Sequence, residues 1–386
     1  MQPGKPYGDP RDAAGWPLHH ATAIAGVVNT VIEVYTAAHE QRDGCSVTNI
    51  KEIAELAGVS IATVSRTLSK REMVAPATVE RVMRAVKSLN YQPNAIAANL
   101  RRKRSGNIIV LIPDFDNPFF SSIIHGIESV AHQKGYNILL GEIGSDSEKV
   151  DRYTGVLLGK NADGIILLGS SLPKVVKESI SSGNDVPIPL VLACERVGGL
   201  QCKSVEIDNF AAAAAATDHL IALGHQNIAM IAGPPGNSLT QDRTAGFKAA
   251  MSAAGLKCSS GNIVHGDFSI ESGHESMKLL LQRTKGVTAV FCANDEMALG
   301  ALKAIRDAGK SIPDDVSIIG FDDIRFARYA SPTLTTIAQP ATRIGEVAMR
   351  LMIEAIHSGA DVEKVILPHK LIVRESTAAP RSTNAG

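Results

Sequence analysis

No stretch of the 386-residue chain offers the roughly 18 consecutive apolar residues of a membrane-spanning helix, so no membrane partner is expected. The nearest candidate, AIAGVVNTVIEV (23–34), is flanked by Asp9 and Asp12 as well as Lys5 and Arg11, which argues against an export signal. Cysteine is scarce: Cys45, Cys194, Cys202, Cys258 and Cys292, with no CxxC and no His/Cys cluster. An odd number at wide spacing argues against a disulfide framework or zinc site and reads as buried free thiols in a reducing, cytoplasmic compartment. GxxxxGK(S/T), GxSxG and metal-ligand clusters are also missing, so neither an enzyme nor a cofactor or metal is expected. Net charge is absent too, because 39 Lys/Arg balance 39 Asp/Glu.

That balance conceals a separation. Residues 48–107 hold eleven Lys/Arg against four acids, a charge of +7, which leaves −7 on the remainder. A basic module on an acidic body points to a polyanionic partner for the module. Residues 1–47 have little periodicity and scattered Gly and Pro before residue 20, as in a poorly ordered extension with one helix near 22–40. Val47 is a candidate start codon, to be tested by mass spectrometry of the native amino terminus.

Residues 49–90 read as three short helices, within a domain at 48–92. Asn49 and Glu52 have capping-box spacing, Ile50, Ile53, Ala54 and Ala57 give an apolar face, and Gly58 ends the first helix. Ser60 caps the second, with Val64 and Leu68 inward. Pro76 suits the first turn of the third, whose stripe is Val79, Val82, Met83, Val86 and Leu89. A linker at 93–106 follows: Pro93 breaks the helix, Asn94 starts a short one ending near Leu100, and Arg101 to Arg104 form a basic cluster.

From Asn107 apolar strands alternate with amphipathic helices: IIVLI (108–112), ILL (138–140), GIILLG (164–169), LVLA (190–193), IAMIAG (228–233), AVFCA (289–293) and VSIIGF (316–321). Strands without polar alternation, separated by helices, imply parallel sheets covered on both faces. The fold class is α/β, as two doubly wound sheets or one eight-stranded barrel, and the interruption near 195–208 favours two subdomains.

Helix, Ala-Gly-Val-Ser turn, helix is the geometry of a helix-turn-helix reader whose second helix enters the DNA major groove. Ser60 and Ser65 are suited to phosphates, Thr63 to a hydroxyl or methyl contact, and Arg66 to bidentate binding of a guanine. The competing reading is a surface helix of a small bundle. Leu100, beside the arginines, is either packed on the neighbouring subdomain or a wedge for a minor-groove base step.

As a set, IKEIAELAGVSIATVSRTLS, LNYQPNAIAANL, NPFFSSIIHGIE, ADGIILLG, IAGPPGNSLTQDRTAGF, CANDEMALGAL, DDVSIIGFDD and LTTIAQP resemble the lactose/galactose repressor family of bacterial transcription factors, nearest its cytidine/purine branch. The resemblance runs from Asn49 to about Thr377. It implies a homodimer that reads a near-palindromic double-stranded operator, with specificity at Ile61, Ala62 and Arg66. It also implies a hinge helix placing Asn94, Ala97 and Leu100 on DNA. The remainder is then a periplasmic-binding-protein-like core of type I at 107–377. Its expected N-subdomain is 107–205 plus 337–363, its C-subdomain 206–336 plus 364–377, and 378–386 is a tail. Ala75 departs from the family's usual capping hydroxyl, and the tail has no heptads for a tetramer-forming zipper.

Ligands of open parallel sheets sit at the strands' carboxyl ends. Those ends carry Asp114, Phe119, Phe120, Glu195, Arg196, Asn294, Asp295, Asp322 and Asp323, and nearby loops reach Arg243 and Phe268. Asp322 and Arg243 suit hydroxyls, and Phe119, Phe120 and Phe268 suit a flat ring. The expected effector residues are Phe119, Phe120, Glu195, Arg196, Arg243, Phe268, Asn294 and Asp322. Asp295 and Asp323 have a simpler reading as helix caps, and Phe120 as core. The resemblance to the cytidine/purine branch implies a nucleoside, pentose or other sugar; Asn237 and Leu239 stand where a purine-binding relative uses more strongly polar groups, so a free purine base is a poor fit. The rival reading, a solute-binding protein of a transport system, shares the core but has no use for a basic headpiece.

Overall fold

The computed structural model describes residues 50–69, 71–91, 104–144, 147–169, 171–182, 188–197, 200–284, 286–358 and 362–381. The helix expected near 22–40, the Asn49 cap and the hinge residues Asn94, Ala97 and Leu100 lie outside them. Contacts divide the chain into two units, Met1–Ala95 and Ile96–Gly386.

In the first unit, helices α1 (Ile50–Ala57), α2 (Ile61–Ser69) and α3 (Pro76–Ser88) surround a small core of Ile53, Ala54, Ala57, Val64, Val82 and Ala85. Gly58 adopts φ +63°, which lets the chain reverse after α1 at no side-chain cost. Ala75 precedes α3 without a side-chain cap, and Pro76 supplies the helix start.

The second unit rules out the barrel. Strands β1 (Asn107–Ile112), β2 (Asn137–Glu142), β3 (Gly164–Leu167), β4 (Leu190–Ala193) and β5 (Lys203–Ile207) belong to one six-stranded sheet. Strands β6 (Ile228–Ala232), β7 (Ile263–His265), β8 (Ala289–Cys292), β9 (Ser317–Asp322) and β10 (Thr335–Ala338) belong to another. The strand orders are β11-β5-β4-β3-β1-β2 and β12-β10-β9-β8-β6-β7, where β11 is Lys364–Leu367 and β12 is Lys370–Ile372. All pairings are parallel except β10 with β12.

Strand β1 shows why its sequence is apolar throughout. Ile108, Val110 and Ile112 enter one core with helices α4 (Pro118–Lys134) and α11 (Ala341–Ser358). Ile109 and Leu111 enter the opposite core with α5 (Ser147–Leu158) and α6 (Lys174–Ser182). Alternate residues face opposite layers, and both layers are dry. The second sheet is covered by α7 (Asn209–Ala222), α8 (Ser238–Ala253), α9 (Ile270–Arg283) and α10 (Asp295–Asp307). Helix pairs cross at glycines. A Cβ on Gly126 would lie 2.0 Å from the Thr342 carbonyl oxygen, and one on Gly345 2.0 Å from that of Ile123. Gly300 meets Ile270, and Gly246 meets Phe210, in the same way.

One expected boundary is corrected. Lys364–Leu367, assigned above to the C-subdomain, pairs with β5 in the first sheet. Lys364 Nζ sits 2.6 Å from Glu206, and Lys203 3.2 Å from Glu363, so ion pairs fix that register. The strand's exposure alternates, so it had no continuous apolar run to reveal it. Cys194, Cys202 and Cys292 are buried free thiols. No described helix is long and apolar enough to cross a membrane.

Candidate functional site

Helix α2 starts behind Ser60, whose Oγ accepts the Thr63 N–H at 3.1 Å and lies 2.9 Å from Thr63 Oγ1. Val64 and Thr67 are fully buried, and the Thr67 hydroxyl donates to the Thr63 carbonyl. Ile61, Ala62 and Arg66 are exposed, while Thr63 and Ser65 are half-buried. The hydroxyls of Ser60 and Thr63 therefore first hold the helix start, and among the described side chains of α2 the exposed ones are the three at the expected specificity positions.

The second unit contains a cavity of about 630 Å3 at the carboxyl ends of its strands. It collects seven of the eight expected effector residues: Phe119, Phe120, Glu195, Arg243, Phe268, Asn294 and Asp322. Arg196 is the exception. Its guanidinium is half-exposed and ion-paired with Asp242 and Glu206, whose carboxylates hold it away from the lining. Phe119 and Phe120 form an edge-to-face pair at 5.5 Å, and Phe119 also belongs to the core.

Arg243 is 3% exposed. Its Nε donates to Asn209 Oδ1 at 3.0 Å, its Nη1 to the Ala293 carbonyl, and its plane stacks 3.7 Å from the Phe321 centroid. Burial lowers its pKa, against the raising influence of Asp322. Asp322 is 7% exposed and accepts from Gln339 Nε2 at 2.7 Å. Burial pushes its carboxyl up to about 6, although Arg243 pulls it down. Glu296, at the start of α10, is pushed to about 7 by burial and by Asp114, Asp322, Glu271 and Asp116. Titratable groups displaced in this way gather where a ligand is to be met.

The backbone is distorted at the same place. Cys194 (φ +73°), Phe268 (φ +75°) and Asp322 (φ +113°) all line the cavity in a region that residues with a Cβ rarely adopt. Phe268 is held there because Asn294 Nδ2 donates to its carbonyl at 2.8 Å and Gly233 leaves room for its ring.

Two alternative sequence readings are corrected. Asp295 does not cap α10: Asn294 does, accepting from the Met297 N–H, while buried Asp295 accepts from the Ile324 N–H and Thr336 hydroxyl. Asp323 is not a cap either; it pairs with Arg374 at 2.6 Å and Arg328 at 3.3 Å. Asn117, Asn237, Asp267 and Glu296 also line the cavity and were not singled out as ligands. A signal for the two asparagines was present: Asn117 and Asn237, like Asn294, stand shortly after a strand and open a helix.

Comparison with known proteins follows this geometry. Residues 49–94 match the description "Bacterial regulatory proteins, lacI family", and residues 217–377 match "Periplasmic binding protein-like domain". The chain is 39% identical to the HTH-type transcriptional repressor CytR of Escherichia coli (strain K12) over 333 residues, 86% of this chain and 96% of that one. Among solved structures, a transcriptional regulator CelR–cellobiose complex is 32% identical, with TM-score 0.64 over 85% of this chain and 99% of that one. The lac repressor dimer bound to operator and the anti-inducer ONPF is 28% identical, with TM-score 0.77 over 86% and 100%.

Proposed function

The chain belongs to the lacI family of bacterial regulatory proteins, and on that footing we propose that it is a cytoplasmic repressor that binds a near-palindromic operator as a homodimer and answers to a nucleoside, pentose or other sugar. The observation that carries this reading is α2: its buried face leaves Ile61, Ala62 and Arg66 outward, within the stretch 48–107 whose charge is +7. A guanidinium at that position suits the O6 and N7 of a guanine. Leu100 acts in this reading as the minor-groove wedge and Asn94 and Ala97 as its neighbours on DNA.

The cavity is the effector site. Asp322 and Arg243 bind hydroxyls from opposite polarities, and Phe268 offers a ring face for the flat part of a nucleoside. Occupancy changes operator affinity by a coupling of about 1–3 kcal/mol. A genome-wide footprint of bound sites, with affinity measured against salt, tests the reading. Specific sites and a steep fall with salt support it. Binding no tighter to any duplex than to random competitor rejects it and favours the solute-binding rival.

A further inference from the structure

Within that effector reading, one question is open in the chemistry of the lining: whether the ligand bears a phosphate. Phosphate recognition draws on two sources, cationic side chains and the free N–H groups at helix N-termini. Both are limited here. Among the described residues, five carboxylates line the cavity (Asp114, Glu195, Asp267, Glu296 and Asp322) against one guanidinium, Arg243. That guanidinium already donates to Asn209 and Ala293 and stacks on Phe321.

The helix ends are occupied too. Helices α4, α8, α9 and α10 each begin at a lining residue, and each first turn is capped by that residue's own side chain. Asn117 accepts from Phe119 N–H, Asn237 from Leu239 and Thr240, Ser269 from Ser272, and Asn294 from Met297. At least one of the amides that would cradle an anion at each helix start is thereby bonded to the protein.

We propose that the cavity is built to exclude phosphate: it takes an unphosphorylated polyhydroxyl ligand and rejects the phosphorylated form of the same ligand. Asp114 and Glu296 are the principal excluding groups. They stand on different subdomains, after β1 and at the head of α10, and act on one another across the cavity. With its pKa at about 7, Glu296 is charged at pH 8, and there a dianionic phosphate brought between them meets like charge from both sides. Asp322 differs from them, since Gln339 and Arg243 attend it and it serves hydroxyl groups.

This inference rests on the effector reading, and calorimetry on the full chain at pH 8 separates the two. The probes are cytidine, uridine, adenosine and ribose, each beside its 5′-phosphate. At least one unphosphorylated member binds, and its phosphate binds roughly a hundredfold or more weakly, as repulsion from two carboxylates at effective dielectric ~20 implies. In the double variant Asp114→Asn/Glu296→Gln that ratio narrows at least tenfold, whereas simple structural damage lowers both affinities and leaves the ratio in place. A phosphate that binds wild type as tightly as its parent overturns the exclusion and leaves the effector class standing. A ratio unchanged in the variant overturns the roles of Asp114 and Glu296. No binding by any of the eight rejects the effector class and the exclusion with it.

Discussion

Replacing Asp322 by Asn should make the protein more stable and less responsive, and the size of both effects follows from one buried carboxyl. Its pKa rises from an ordinary 3.8 to about 6 in the fold. A folded state that holds a carboxyl proton more tightly is destabilised as pH climbs from the unfolded value through the folded one, and the penalty is constant above both. At 1.36 kcal/mol per unit the full penalty at pH 8 is about 3 kcal/mol. At pH 5 the folded carboxyl is mostly neutral and the unfolded one mostly ionised, so about half of it remains. Asn mimics the neutral acid, offers Gln339 the same acceptor, and tolerates the positive φ of this position better than most residues. Urea unfolding followed by far-ultraviolet circular dichroism at pH 8 and pH 5 reads the difference. We expect Asp322→Asn to exceed wild type by about 3 kcal/mol at pH 8 and by about 1.5 kcal/mol at pH 5, with unchanged m-value. Glu296 and Asp295 have carboxyl pKa values raised first by burial and in part by Asp322, so the variant relieves both, which adds to the gain at pH 8. Effector affinity should meanwhile fall by about 1.5–3 kcal/mol, the loss of a charge-assisted hydrogen bond. A variant less stable than wild type at pH 8, or equally favoured at both pH values, would refute the claim that this charge is held in the fold at a cost.

Arg66→Ala should cost roughly 1–3 kcal/mol on operator and relax discrimination at one guanine, read by anisotropy with operators mutated base by base. Leu100→Ala should weaken operator binding more than nonspecific binding; equal loss on both removes the wedge. Arg196→Ala should leave effector affinity within about twofold, because its guanidinium is bound to Asp242 and Glu206 rather than facing the cavity; calorimetry showing a tenfold loss contradicts that placement. Gly126→Ala should destabilise by roughly 1–3 kcal/mol, toward the upper end, since its Cβ would meet the Thr342 backbone at 2.0 Å and neither helix can yield locally; the urea midpoint measures it.

The sequence carried the headpiece and the strand-helix alternation because both are written in short-range signals: Gly58 after an apolar face, Ser60 before the next, dry runs such as IIVLI and LVLA. What it hid was long-range. Strand β11 alternates exposure and is placed by ion pairs to β5, a partner some 160 positions earlier, and no local pattern announces such a pairing. Gly126 and Gly345 are unremarkable in sequence, yet they meet because two helices more than 200 residues apart cross there. The cavity residues were legible as strand-end positions, and Arg196 failed for a definite reason. Its neighbour Glu195 turns inward to Asn237, while Arg196, one residue on, finds Glu206 and Asp242 outside. Adjacent extended residues point opposite ways, and only a known strand register says which is which.

The cavity is also where the rules of stable folding are broken together. Elsewhere in the core, buried charged groups such as Lys203, Glu206 and Asp295 are met by ion pairs or by hydrogen bonds within the protein. Here Asp322 is buried with the neutral Gln339 amide as its hydrogen-bond partner, Arg243 is buried against a ring, and three lining residues hold a backbone that favours glycine. Each departure costs on the order of 1–3 kcal/mol when considered alone. A fold retains such features when something outside the chain relieves them, and a ligand rich in hydroxyls does so directly. It donates to Asp322, accepts from the Arg243 Nη2 that has no described protein partner, and lies on the Phe268 ring that the positive φ has turned toward it. Binding energy thus comes from groups left unsatisfied in the empty protein, so stability and responsiveness should trade against each other at Asp322.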